Sequence, residues 1–215
     1  MCGRFAQYGP RTAWEEYWPA DWRVKDWTPR YNVAPATSSL AITPIGADRE
    51  RAELLLWGLE RGRRLWINAR LETLEAGAAF RPLLERGRVI IPMNGYFEWD
   101  AATRQPHYIT AVHAMPLWAL GLYEPGQGMV IVTRPASEGL LRLHPRMPAL
   151  ANHEEAKAWL HESPSRLLAW MATWQGLPDD RLTYWPVSTR VNHPRHQGPD
   201  LIQRQVQPAQ GAFEW

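Results

Sequence analysis

The sequence contains a single cysteine, Cys2, so no disulfide can close within the chain and no zinc site can be assembled from several thiolates. It has almost no lysine. Apart from Lys25 and Lys157, its 24 basic residues are all arginine. No apolar run reaches the ~20 residues that a membrane-spanning helix needs. The first residues lack the basic-then-apolar pattern of a secretory signal, and a cytoplasmic location is the expectation. Seven histidines occur, none at i,i+4 spacing beside a carboxylate. The expectation is therefore a mechanism without a metal and without a cofactor. Internal repeats and low-complexity tracts are absent as well.

What remains describes a folded protein. Its 215 residues are 45% hydrophobic and 21% charged, enough for one domain with a real core. The net charge is +2 and the isoelectric point is 8.8. Arginine suits bidentate phosphate binding, but so small an excess of charge is weak support for nucleic acid by itself. Thirteen tryptophans are many. Most belong in the core, and a few could stack on unpaired bases.

Local patterns place short elements throughout. Residues 10–18 and 71–80 read as helices. Residues 38–45 and 51–57 form an apolar pair around Gly46-Ala47-Asp48-Arg49, a hairpin signature. Strands are expected over 88–93, 96–99, 107–113, 117–123, 128–133 and 182–188. Asn152 with Glu155 matches a capping pair that opens a helix to about residue 160, and a second helix is expected over 164–174. Strands dominate the middle and βαβ units are few. The expected class is α+β, with a curved, mostly antiparallel, barrel-like sheet and flanking helices.

The start, Met1-Cys2-Gly3-Arg4-Phe5, carries chemistry. Initiator methionine is normally removed before a small residue, which would leave Cys2 with a free α-amine beside its thiol. Such an amine titrates near 7.7–8.0, so a useful fraction is nucleophilic at neutral pH. It can capture an aldehyde as an imine. The adjacent thiol can then close a five-membered thiazolidine, an intramolecular step with a large effective concentration. The same terminus could instead serve amide hydrolysis, or Cys2 could be a small buried hydrophobe.

Several blocks resemble the SRAP family, the SOS response-associated peptidase-like proteins that process abasic sites. These are Met1 to Phe5, Arg30-Tyr31-Asn32-Val33-Ala34-Pro35, Trp57-Gly58-Leu59, Ile67-Asn68-Ala69-Arg70 with Glu72-Thr73, and Asn94-Gly95-Tyr96-Phe97-Glu98-Trp99. Val130 to Thr133, His144-Pro145-Arg146-Met147-Pro148, Pro186-Val187-Ser188 and Asn192 to Gly198 follow in order. The resemblance implies a single SRAP domain over 2–205, with 206–215 a frayed tail. It implies a monomer that binds single-stranded DNA containing abasic sites and links Cys2 covalently to the ring-opened sugar. It also implies association with the nucleoid when DNA is bound. A peptidase that removes its own Met1, and a non-enzymatic single-strand binder, are the rival readings.

Carried over by position, the resemblance makes Cys2, Asn68, Glu98 and His144 catalytic. It sets Arg4, Asn32, Trp66, Arg70, Trp99, Thr133 and Arg146 at the DNA. The segment between Gly58 and Asn68 is shorter than the family usually shows, leaving Trp66, Arg63 and Arg64 to wedge against bases. Glu98 lies between two aromatic residues. Pointing inward, its pKa would rise and suit proton transfer; strand alternation also permits a solvent-facing carboxylate. His144 sits in a proline-rich turn after an expected helix and could protonate the sugar ring oxygen. Asn68 could orient the amine or sugar hydroxyls, and Arg70 would share its strand face.

Overall fold

The computed structural model describes residues 2–205. Two sheets dominate it. The smaller has five strands in the order Leu182–Pro186, Pro106–Ala111, Gly95–Trp99, Arg4–Gln7, Arg30–Val33. The larger has nine. Its main path runs Arg146–Pro148, Gly128–Pro135, Leu117–Glu124, Arg88–Met93, Ser38–Gly46, Arg49–Leu56, Asp21–Trp22. The short strands Leu150–Ala151 and Asn68–Arg70 join it from the side. Pairing is antiparallel except for Asn68–Arg70 beside Gly128–Pro135 and Asp21–Trp22 beside Arg49–Leu56.

Strand alternation sorts side chains into three apolar layers. Phe5, Tyr96 and Ile109 from the small sheet meet Ala41, Val89, Ile91, Ala119 and Ile131 from the large one between the sheets. The other face of the large sheet, with Ile42, Ile90, Leu120 and Val132, is covered by Trp18, Trp159 and Leu160. The outer face of the small sheet, with Ala6, Phe97 and Tyr108, is covered by Val187, Val191 and Leu201 of the closing segment.

Helices occupy Arg11–Tyr17, Arg81–Arg86, His153–His161 and Pro164–Thr173. The expected capping pair is present in full. Asn152 Oδ1 accepts the Glu155 N–H at 2.9 Å, and Glu155 Oε2 accepts the Asn152 N–H at 2.9 Å. The α+β class is observed, and the hairpin, the central strands and three of the four helices lie where the sequence places them.

The helix expected over 71–80 is not there. Its place is taken by one 3-10 turn, Leu71–Thr73, and further turns, with a helix beginning only at Arg81. Gly77 weakens any helix across this stretch, and Pro82 is favoured in a first helical turn rather than an interior one. Phe80 turns back instead to pack on Trp66, ring centroids 5.1 Å apart. The segment before His144 is likewise a single 3-10 turn, Glu138–Leu140, rather than a helix. The tail expected over 206–215 lies outside the described residues. No helix among those described is long and apolar enough to cross a membrane.

Candidate active site

The strand register brings the chain's start to the glutamate. Arg4 pairs with Phe97, Phe5 with Tyr96 and Ala6 with Gly95, so the residues ahead of Arg4 run toward Glu98 and Trp99. Tyr96 and Glu98 share one strand face by alternation, and Tyr96 belongs to the layer between the sheets. Glu98 therefore points inward and is 5% exposed. The inward option is the one the fold selects. Cys2 packs into the same layer and is 0% exposed.

A narrow crevice is lined by Tyr96, Glu98 and Ile109 from the small sheet and by Leu140, Leu143, His144, Arg146 and Met147 from the opposing segment. Glu98 and His144 are thus walls of one space. Asn68 reaches the site from the large sheet, its Nδ2 donating to the Cys2 carbonyl oxygen at 3.0 Å. Its strand is anchored by Trp57, whose buried indole Nε1 donates to the Ile67 carbonyl at 2.9 Å, and by the Ile131 N–H bonding the same oxygen at 3.1 Å. Gly58 after Trp57 has φ +135, and a Cβ there would meet Leu65 Cδ1 at 2.6 Å. The Leu59–Arg61 and Arg64–Trp66 hairpin folds back that closely, so the Trp-Gly pair sets the approach to Asn68.

Burial governs the site's protonation. It raises the Glu98 carboxyl to about 7. Burial, reinforced by the charge of Glu98, pushes the Cys2 thiol far above its ordinary value. Tyr96 rises for the same reason, with the charges of Cys2 and Glu98 adding to burial. The His144 imidazole is lowered, chiefly by burial. The site therefore holds a protonated thiol, a carboxyl that titrates near neutrality and a neutral histidine.

The candidate DNA residues separate into two groups. Arg70 is exposed and Trp66 half-buried on an open groove of about 640 Å³, lined also by Arg64, Asn68, Thr73 and Phe80. Asn32 and Thr133 are fully buried. The Asn32 Nδ2 donates to the carbonyls of Val191, His193 and His196 at 3.1, 3.1 and 3.2 Å. Arg4 donates to Asn32 Oδ1 at 2.9 Å, to the Val191 carbonyl at 2.6 Å and to the Asn192 carbonyl at 3.1 Å. Trp99 Nε1 donates to Asn192 Oδ1 at 2.7 Å. Arg4, Asn32 and Trp99 thus tie down the segment around Asn192, and Thr133 Oγ1 donates to the Ala69 carbonyl at 3.3 Å beneath the Asn68 strand. Arg146 is engaged by Glu72 and Thr133.

Sequence reasoning missed Tyr96 and His107. His107 is the cross-strand partner of Glu98 and is 6% exposed. Tyr96 was accessible to the alternation rule, two residues before Glu98 on one strand. His107 required the pairing register, which no local pattern supplies.

A model of the family described as SOS response associated peptidase (SRAP) matches residues 1–194. The chain belongs to the SRAP family. Among curated SRAP relatives, the abasic site processing protein YedK of Escherichia coli is 33% identical, with 94% of this chain and 99% of YedK covered. The abasic site processing protein YoaM of Bacillus subtilis is 31% identical, with 94% and 97% covered. A solved phage-related protein from Bordetella bronchiseptica superimposes with a TM-score of 0.72 at 29% identity, covering 86% of this SRAP chain and 94% of that one.

Proposed function

We propose that this protein processes abasic sites in single-stranded DNA by condensing the Cys2 aminothiol with the open aldehyde of the lesion. One observation carries the reading: a buried carboxyl, Glu98, titrating near 7 lies in the layer that holds Cys2 and shares a crevice with His144. Family membership and relatives named for abasic-site processing support it.

Removal of Met1 converts the Cys2 amide nitrogen to a primary amine. That nitrogen attacks C1′ of the aldehyde, forming a C–N bond and a carbinolamine. Protonated Glu98 donates to the carbinolamine hydroxyl, which leaves as water, and the imine forms. The Cys2 thiol then adds its sulfur to the imine carbon. Its proton passes to the Glu98 carboxylate that the dehydration left ionised, the nitrogen keeps the hydrogen of the iminium, and the thiazolidine closes with the acid restored. Holding the thiol protonated assigns the first attack to the amine and the second to the sulfur. His144, neutral and beside the crevice, donates a hydrogen bond from its ring N–H to the sugar ring oxygen as the C1′–O4′ bond breaks, and the hemiacetal hydroxyl proton reaches that oxygen through water. Asn68 fixes Cys2 through its carbonyl.

The groove along Arg64, Trp66 and Arg70 takes the strand, with arginine on phosphate and Trp66 with Phe80 as a stacking platform. Arg4, Asn32 and Trp99 act through the closing segment they hold.

The test mixes Met1-free protein with an oligonucleotide carrying one abasic site, denatures it and weighs the product. A species equal to protein plus DNA minus one water is expected, absent for Cys2→Ala. Crosslinking by Cys2→Ala, or none by the processed parent, would overturn the reading.

A further inference from the structure

Arg146 is held at both its side chain and its main chain. Its guanidinium is bound bidentately by Glu72, one arm against Oε1 and the other donating to Oε2 at 3.1 Å. The second arm also donates to the Thr133 carbonyl at 2.7 Å and to Thr133 Oγ1 at 3.1 Å. The Arg146 side chain is 14% exposed, that of Glu72 45%. Planar fork-to-carboxylate pairing fixes orientation as well as distance.

The peptide groups of Arg146 meet His144. The Arg146 N–H donates to His144 Nδ1 at 2.9 Å. An accepting Nδ1 leaves the proton of the neutral ring on Nε2. The Arg146 carbonyl oxygen lies 3.1 Å from the same Nδ1. It would accept from Nδ1–H in the opposite tautomer. Two competing partners for one ring nitrogen thus belong to one residue, and both lie within hydrogen-bond distance of it.

We propose that Glu72 is a positioning residue: by clamping Arg146 it selects the Nε2–H tautomer of His144. Glu72 follows directly on the strand that carries Asn68 and Arg70, so the clamp also joins the Asn68 side of the site to the His144 side. Glu72 itself touches no reacting atom. The tautomer claim stands on geometry; its effect on rate rests on the abasic-site reading.

The experiment uses the full chain with ¹⁵N-labelled histidine, His144 being assigned by loss of its signals in His144→Gln. At a pH of about 8 the ring is neutral. The parent should show one Nε2–H tautomer. Glu72→Ala, at a half-exposed turn position, should shift both ring nitrogens toward an averaged population. The crosslinking rate should fall about tenfold, with DNA affinity changed less than about twofold. A parent-like spectrum in Glu72→Ala would overturn the proposal. So would tighter DNA binding at an unchanged rate, which would make Glu72 a shield for a phosphate-binding Arg146. A parent that does not crosslink would remove the abasic-site reading and leave the tautomer measurement decisive.

Discussion

Asn68 donates its side-chain amide to the backbone carbonyl of Cys2 at 3.0 Å, joining a residue of the large sheet to one that stands two places ahead of the small sheet's Arg4 strand. The contact holds Cys2 by its main chain, while its thiol donates to the Arg4 carbonyl oxygen at 3.8 Å. Asn68→Ala removes that tether without touching the reacting atoms. It should slow crosslinking by about tenfold to a hundredfold and alter DNA affinity little. Single-turnover rates at saturating DNA, set against equilibrium binding, separate the two effects.

Glu98→Gln keeps the shape and removes the titration. Loss of positioned proton transfer should lower the crosslinking rate by about a hundredfold or more. The parent's rate against pH should change slope near 7, where its carboxyl titrates. The variant should show no such break. A break that persists in Glu98→Gln would assign the titration to another group.

The same carboxyl has a stability signature. Its pKa is raised in the folded state from 4.5 to about 7, so the native protein binds the proton more tightly than the unfolded chain does. That contribution is fully present below about 4.5 and is lost as pH rises through about 7, at most about 3 kcal/mol. Denaturant midpoints at pH 5 and pH 8 should fall more in the parent than in Glu98→Gln.

Arg70 and Asn32 should part company in a salt titration. Arg70→Ala removes an exposed cation on the groove, and the slope of log affinity against log salt should flatten by about 0.7 if one phosphate contact is lost. Asn32→Ala strips the amide donor from three carbonyls in the interior and should destabilise the fold by about 2 kcal/mol or more. Its slope, measured below its unfolding transition, should match the parent's.

The central strands were legible because apolar runs bounded by turn residues mark them at the level of the chain. The Asn152–Glu155 cap was equally local. The 71–80 stretch was misread because its helical periodicity gives way to the docking of Phe80 on Trp66, a contact invisible to pattern reasoning. Cys2, Asn68, Glu98 and His144 were chosen through family resemblance; the fold bonds Asn68 to Cys2, packs Cys2 in the layer that Glu98 faces, and lines one crevice with Glu98 and His144. The roles of Asn32 and Arg4 depend on the closing segment some 160 to 190 residues away, and no spacing rule reports such a tie.

A thiol kept neutral inside a packed interior is a poor target for peroxides and alkylating agents, which attack the thiolate. The protein's only sulfhydryl can therefore persist through oxidative stress, the condition that itself damages bases. Under the proposed covalent capture each molecule is used once, so durability before the encounter bears directly on how many lesions a given pool of protein can shield.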